Sequence, residues 1–197
     1  PETLDAFVEI GKISERLLRS EQLPTDNLNV GDLIKVYVAE IREATKGPKA
    51  TISRTHPGLV RRLLESEVPE IFDGTIEVKS IAREAGSRTK IAVYSKDENV
   101  DAVGSCIGQK GARIAQILDT LGGEKIDIVK WSDQPEEFIR EALSPAKVLA
   151  VDVDENGEKA CKATVPDGQL SLAIGREGQN ARLAARLTGY KIDIKTE

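Results

Sequence analysis

Apolar residues recur in this chain with two periods that alternate in a regular order. Leu59, Val60, Leu63 and Leu64 fall at i, i+1, i+4 and i+5 behind Pro57, and Phe138, Ile139, Ala142 and Leu143 do the same behind Pro135. Each set predicts one buried stripe of an α-helix. Proline in the first turn presets the backbone dihedral without removing a hydrogen bond. Ile114, Ile117, Leu118 and Leu121 form a stripe at i, i+3, i+4 and i+7, with Leu183, Ala184 and Leu187 as its later counterpart. Between the helices, TIEVKSI and KIAVYS predict one pair of strands, and KVLAVDV and ACKATV another. The joining turns, EAGSR and DENGE, each carry a glycine suited to a hairpin.

The pattern is a duplication. Residues 106–128 read CIGQKGARIAQILDTLGGEKIDI, and residues 172–194 read LAIGREGQNARLAARLTGYKIDI. In both, isoleucine precedes G-x-x-G, a helix follows, a glycine stops it, and a K-I-D-I strand closes the unit. The order in each copy is helix, two strands, helix, G-x-x-G, helix, strand. This divides the chain at residues 1–55, 56–131 and 132–197. Only the few residues around Trp131 to Gln134 separate the copies, which is short for a free linker, so the two units are expected to pack as one body.

A single G-x-x-G is as readily a corner between helices as a ligand loop. Its bare backbone and the unpaired N–H groups of a helix start also suit an anion, and the repetition in matching surroundings favours that second reading. Gly108 and Gly111 frame Gln109 and Lys110; Gly175 and Gly178 frame Arg176 and Glu177, with Gln179 directly after. Lys110, Arg113 and Arg176 are the foremost candidates for phosphate contact. Arg182 and Arg186, four apart on one helix face, rank next because a solvated face explains them equally well. Glu177 departs from an ideal phosphate loop and leaves more of the work to backbone.

Composition narrows the setting. With 197 residues, 40% hydrophobic and 31% charged, the chain suits a globular protein rather than a disordered one. No apolar run approaches the roughly 18 residues of a membrane span, and no secretory leader is visible. Cys106 and Cys161 are far apart and unaccompanied by clustered histidines, which favours a reducing compartment and makes a structural zinc unexpected. Formal net charge is −5, and the three segments hold 8 basic against 9 acidic, 11 against 12, and 9 against 12 residues. No segment is a basic tail, so any phosphate contact must be local. His56, the single histidine, is expected to make a linker or interdomain contact. Asp127 and Asp193 are expected to be structural, Cys106 to pack, and Trp131 and Tyr190 to fill an interface. An aromatic content of 4% argues against recognition built on many stacked bases. No catalytic residue, metal ligand set or cofactor motif emerges, and no nucleotide-triphosphate loop signature is present.

A helix–G-x-x-G–helix in this setting resembles the K-homology (KH) RNA-binding family, in the helix-first, prokaryotic (type II) form with three helices on a three-stranded sheet. The resemblance implies that each loop clamps the backbone of about four single-stranded nucleotides. Ile107 and Ile174 would support the bases beside the loops. LDAFVEIGKISERLL, GDLIKVYVAEI and PKATISR resemble strands of an OB-fold barrel of the ribosomal-protein S-one type. Its opening strand would precede Leu4, so the sequence is expected to begin inside that domain. The implied fold class is α+β: a partial OB-fold and two tandem KH domains. SRTHPGLV, VPEIFDGTIEVKSIAREAGSRTKIAV, ALSPAKV and PDGQLSLAIGREGQNARLAARLTGYKIDIK together resemble the NusA family of bacterial transcription factors. That implies a cytoplasmic, monomeric, non-enzymatic module that binds single-stranded nascent RNA and modulates pausing, termination and antitermination. It also implies, for the full-length protein, RNA polymerase and other transcription factors as partners, and no membrane. The alternative is an OB/KH accessory region of an RNA-processing exoribonuclease or of a ribosome-associated protein.

Overall fold

The computed structural model describes residues 5–197. Strands β1 (Ala6–Ile10) and β2 (Ile13–Leu17) form an antiparallel hairpin, and β3 (Tyr37–Arg42) and β4 (Lys49–Ser53) form a second. Among the described residues each hairpin is its own two-stranded sheet. The Glu15 carboxylate of β2 accepts the Ala50 N–H of β4 at 2.8 Å and holds the hairpins together. The strand expected over GDLIKVYVAEI begins only at Tyr37. Residues 31–36 pair with no described strand, and Val30 and Leu33 are fully exposed. The strand expected before Leu4 lies outside the described residues.

In the next unit α1 (Pro57–Glu67) is capped by His56, whose Nδ1 accepts the Gly58 N–H at 2.9 Å. Val68 leaves the helical region, and Pro69 starts the one-turn α2 (Pro69–Phe72), an element the apolar pattern does not announce. Strands β5 (Ile76–Glu84) and β6 (Arg88–Ser95) pair antiparallel; α3 (Ala102–Ile107) and α4 (Ala112–Thr120) follow; β7 (Lys125–Lys130) returns parallel to β6. The second unit repeats this, without a counterpart of α2, as α5 (Pro135–Ala142), β8 (Ala150–Val153), β9 (Ala160–Val165), α6 (Leu170–Ile174), α7 (Gln179–Thr188) and β10 (Lys191–Thr196). The sheets have the equivalent orders β5-β6-β7 and β8-β9-β10, each a mixed three-stranded sheet.

Alternation along β6 explains how the units stack. Ile91 and Val93 point into a core with Leu59, Leu63, Leu64, Cys106, Ile117 and Leu121. Ala92, with Ala82 and Val129 beside it, points the other way and packs with Phe138, Ile139, Leu143, Leu183 and Leu187 of the second unit. Helices α5 and α7 are therefore covered on one side by the first sheet and on the other by their own. The layers run α1/α3/α4, first sheet, α5/α7, second sheet. Cys106 and Cys161 are buried, and burial pushes their thiols up to about 12 and about 11, so neither is a ready nucleophile.

Charged groups close the seams. Arg54 chelates Asp26 at 2.6 and 2.9 Å and donates to the carbonyls of Lys35 and Thr120, tying the N-terminal segment to α4. Arg83 and Glu124 form an ion pair with no side-chain exposure, and Arg83 also donates to the His56 carbonyl at 2.8 Å. Lys90, equally buried, donates to Asp127 at 3.0 Å and across the domain seam to the Ser144 carbonyl at 2.7 Å. Burial alone would raise the Asp127 carboxyl, but hydrogen bonds and charge from Arg88 and Lys90 outweigh it and hold it below the usual range. Burial is likewise outweighed at Asp26 by Arg54. The Arg182 hydrogen bond depresses Glu84.

Two outcomes are expected. These three carboxylates have depressed folded values, so the stability they contribute is full above their unfolded values near pH 4 and is lost as pH falls through the folded ones. Urea midpoints should fall below about pH 4, and Asp127→Asn should be less stable at pH 7 and lose less on acidification; an acid limb as steep in the variant would contradict this. In hydrogen exchange, amides of β1 to β4, in two-stranded sheets with much exposed surface, should exchange faster than those of β6. Equal protection would show that the hairpins share the stability of the stacked helix and sheet layers.

Candidate nucleic-acid interface

Each G-x-x-G connects two helices through a single tight turn, and the two turns have the same backbone. Gly108 has φ 80° and ψ 171°, Lys110 φ 55° and ψ 27°, and Gly111 φ 74° and ψ 16°. In the second copy Gly175 has φ 80° and ψ 170°, Glu177 φ 56° and ψ 26°, and Gly178 φ 75° and ψ 11°. Lys110 and Glu177 are the only non-glycine residues with positive φ among the described residues. Holding an L-residue there costs on the order of 1 kcal/mol, and the cost recurs at the same place in both copies.

The two glycines of each motif do different things. A Cβ at Gly108 would lie 2.9 Å from the backbone nitrogen of Arg113, and one at Gly175 would lie 2.7 Å from that of Asn180. The first glycine is required by the turn itself. A Cβ at Gly111 would meet only an Ile114 methyl at 4.0 Å, and one at Gly178 only an Arg182 nitrogen at 3.9 Å. Space around the second glycine is open, so apart from its positive φ nothing in the fold demands a bare backbone there.

The charged candidates divide in the same way. Lys110, Arg176 and Arg186 are exposed, as is Gln109. Arg113 is half-buried: it pairs with Glu70 of α2 at 2.8 Å and donates to the Ser105 carbonyl at 2.8 Å, bracing the loop from behind. Arg182 makes a two-pronged pair with Glu84 of β5, at 3.0 and 2.7 Å, and donates to the Glu177 carbonyl at 3.0 Å. Gln179 donates to the Ser87 hydroxyl at 2.7 Å. The second loop is thus fastened to the β5–β6 turn of the first unit, a connection that no local pattern in the sequence signals. Ile107 and Ile174, directly before the loops, are each 38% exposed and leave an apolar step beside each turn.

Asp127 and Trp131 make structural contacts. Asp127 is held by Arg88 and Lys90, whereas Asp193 is exposed on the second sheet, so the two carboxylates never meet. Trp131 packs edge-on between Tyr94 and Phe138, with Lys79 4.6 Å above its ring. Among the described residues, no group of three or more His, Cys, Asp or Glu could hold a metal ion, and no helix is long and apolar enough to cross a membrane.

Comparison with known proteins adds to this geometry. Residues 54–131 match the family model of the NusA-like first KH domain, and residues 135–197 that of the NusA-like second KH domain. Among curated proteins, the transcription termination/antitermination protein NusA of Bacillus subtilis is 59% identical over 97% of this chain and 51% of its own length. The protein of that name from Halalkalibacterium halodurans is 56% identical over 97% of this chain and 50% of its own. The chain spans about half the length of these curated relatives. Among solved structures, the crystal structure of APE1850 is similar with a TM-score of 0.50 and 26% identity, over 68% of this chain and 94% of that one.

The split between the glycines is measurable. Gly108→Ala should destabilise by about 2–3 kcal/mol, through the clash with the Arg113 backbone added to left-handed strain, and Gly111→Ala by only about 1 kcal/mol. Urea unfolding of the two variants checks the order; equal losses would erase the distinction.

Proposed function

The chain belongs to the NusA family, and from that premise we propose that it is the RNA-binding portion of a bacterial transcription termination and antitermination factor. In this reading it is a binder rather than a catalyst, acting in the cytoplasm as a monomer on nascent single-stranded RNA. Contact with RNA polymerase and other transcription factors belongs to the full-length protein. The two N-terminal hairpins are read as part of an OB-fold spanning residues 1–55, followed by KH domains at 56–131 and 132–197.

The observation that carries the proposal is the second glycine of each loop. Both copies keep a bare, left-handed position with open space around it, at the start of a helix of nine or ten residues; each loop also carries an exposed cation, Lys110 or Arg176, and follows an exposed isoleucine, with Glu177 the one acidic departure. A phosphate can come against that backbone and meet helix N–H groups, while the bases lie over Ile107 or Ile174. Lys110 and Arg176 supply mobile charge. Arg186 stands one turn beyond, and Arg113, Arg182 and Gln179 hold the loops in place as well as flanking the strand. Because Gln179 and Arg182 fasten the second loop to the first domain, two loops that each hold about four nucleotides act on one strand of roughly eight.

Replacing Gly111 or Gly178 with Asp would place a carboxylate where a phosphate is to sit, at a position with room for it. Either variant should keep its circular dichroism and bind an RNA of about eight nucleotides at least tenfold more weakly. Binding by the parent should weaken with salt by a log–log slope of about −0.7 per neutralised phosphate, and each variant should be shallower. Unchanged affinity in folded variants would mean that these glycines only turn the chain.

A further inference from the structure

A second opening lies away from both loops, where the N-terminal hairpins meet the first KH domain. It is a cleft of about 340 Å³ bounded by Tyr37, His56, Arg61, Arg62, Glu65 and Ile81. Tyr37 comes from β3 and His56 from the residue before α1, and their rings stack with centroids 4.6 Å apart and planes 19° from parallel. The stack is fixed in place. Tyr37 lies so closely over Gly58 that a Cβ there would run into its ring. His56 is held at Nδ1 by the Gly58 N–H and at its carbonyl by Arg83. With Nδ1 an acceptor, the neutral imidazole carries its proton on Nε2 and offers it outward as a donor. His56 itself is exposed, so one end of the two-ring stack is open.

Around this stack the charge is positive, in a chain whose total is −5. Arg62 shares its charge with Glu65 at 2.8 Å, while Arg61 makes one hydrogen bond among the described residues, to the Val78 carbonyl at 3.2 Å, and is exposed. A flat ring stack with a spare guanidinium beside it suits a ligand that is aromatic at one end and anionic at the other. The volume is at the lower end of the range for small-molecule sites, room for one nucleotide and not for a folded partner.

We propose that this cleft is a third RNA-binding point, taking a single nucleotide whose base continues the Tyr37–His56 stack and whose phosphate meets Arg61. The proposal rests on the RNA-binding reading of the loops and extends it along the molecule. Helix α1 has 11 residues, about 16 Å, with His56 at one end. Past its other end, Glu70 holds Arg113 beside the first G-x-x-G. A strand leaving that loop along α1 reaches the cleft within a few nucleotides.

His56 is the single histidine and Trp131 the single tryptophan, so each gives a proton NMR signal without assignment ambiguity. The full chain carrying both Gly111→Asp and Gly178→Asp is titrated with adenosine 5′-monophosphate, and separately with inorganic phosphate. The nucleotide should move the His56 ring signals upfield and leave the Trp131 indole N–H in place, and Arg61→Gln should weaken that response about fivefold or more. With loops intact, an RNA of about 12 nucleotides should bind about five- to tenfold tighter than one of about 8. His56→Asn, which keeps a capping acceptor but removes the ring, should abolish the gain and leave the shorter RNA unaffected. No His56 response to the nucleotide, or no gain on lengthening, overturns the proposal. An equal response to phosphate alone overturns it in favour of an anion site for a protein carboxylate or phosphate. Failure of the loop reading is seen separately, as unchanged binding of the shorter RNA in the glycine variants.

Discussion

Everything about the placement of the two loops depends on one layer of helices being shared between two sheets. Helices α5 and α7 fill the inner side of their own sheet and at the same time cover the outer side of the sheet before it. That close approach needs small residues on the first sheet, and Ala82 and Ala92 provide them. Two domains joined only by a short tether would leave the loops free to swing. Here the linker is short because the interface makes a longer one unnecessary, and the loop that begins α7 is positioned by the same helix that fills the seam. Arg182 and Gln179 then fasten the loop end of α7 to the first domain.

Buried cations are used at these seams in a consistent way. Arg54, Arg83 and Lys90 each combine a carboxylate with a backbone carbonyl from another segment of the chain: Thr120, His56 and Ser144. A buried ion pair alone is weak evidence for net stability, since desolvation offsets most of the attraction. What these three add is geometry, because the carbonyl fixes where the neighbouring segment must stop. Glu124 illustrates how the desolvation is offset: besides Arg83 it accepts the Gly86 N–H and the Thr89 hydroxyl. Thus many cations in a chain of net charge −5 are already engaged, and those exposed near the loops, Lys110, Arg176 and Arg186, stand out.

Much of this was legible in the sequence. The two periods located the helices and paired strands of both copies, and the repeated G-x-x-G located the loops. The seam was harder to read because it is made by side chains distant in sequence, yet a trace of it exists. KIAVYS carries the unbroken apolar run Ile91, Ala92, Val93, as expected of a strand buried on both faces, whereas ACKATV alternates, as expected of one face exposed. What had no local signal was the engagement of Arg113 by Glu70, of Arg182 by Glu84 and of Gln179 by Ser87, because an arginine on a helix reads the same whether it faces solvent or a neighbouring domain. The hairpin region was overread for a related reason: the apolar residues Leu33, Ile34 and Val36 suggest a strand, but a strand forms only where a partner ladder exists.

The difference between the two sheets also explains why head-to-tail stacking does not simply repeat. Ladder register aligns the row Ala82, Lys90, Asp127 with Asp152, Lys162, Asp193, and the next row Ser80, Ala92, Val129 with Ala150, Thr164, Lys195. The lysine and aspartate recur, but the small or apolar positions that receive α5 and α7 have become Asp152, Thr164 and Lys195. A helix pair docking there would bury three polar side chains in place of two alanines and a valine, with no partners supplied, and each unsatisfied group costs roughly 1–3 kcal/mol. Repeat arrays are closed by such polar outer faces. In this chain the outer sheet faces of the duplicated unit have diverged: the first is small and apolar and is covered by its twin, and the second is polar, while the loop backbone has stayed the same in both.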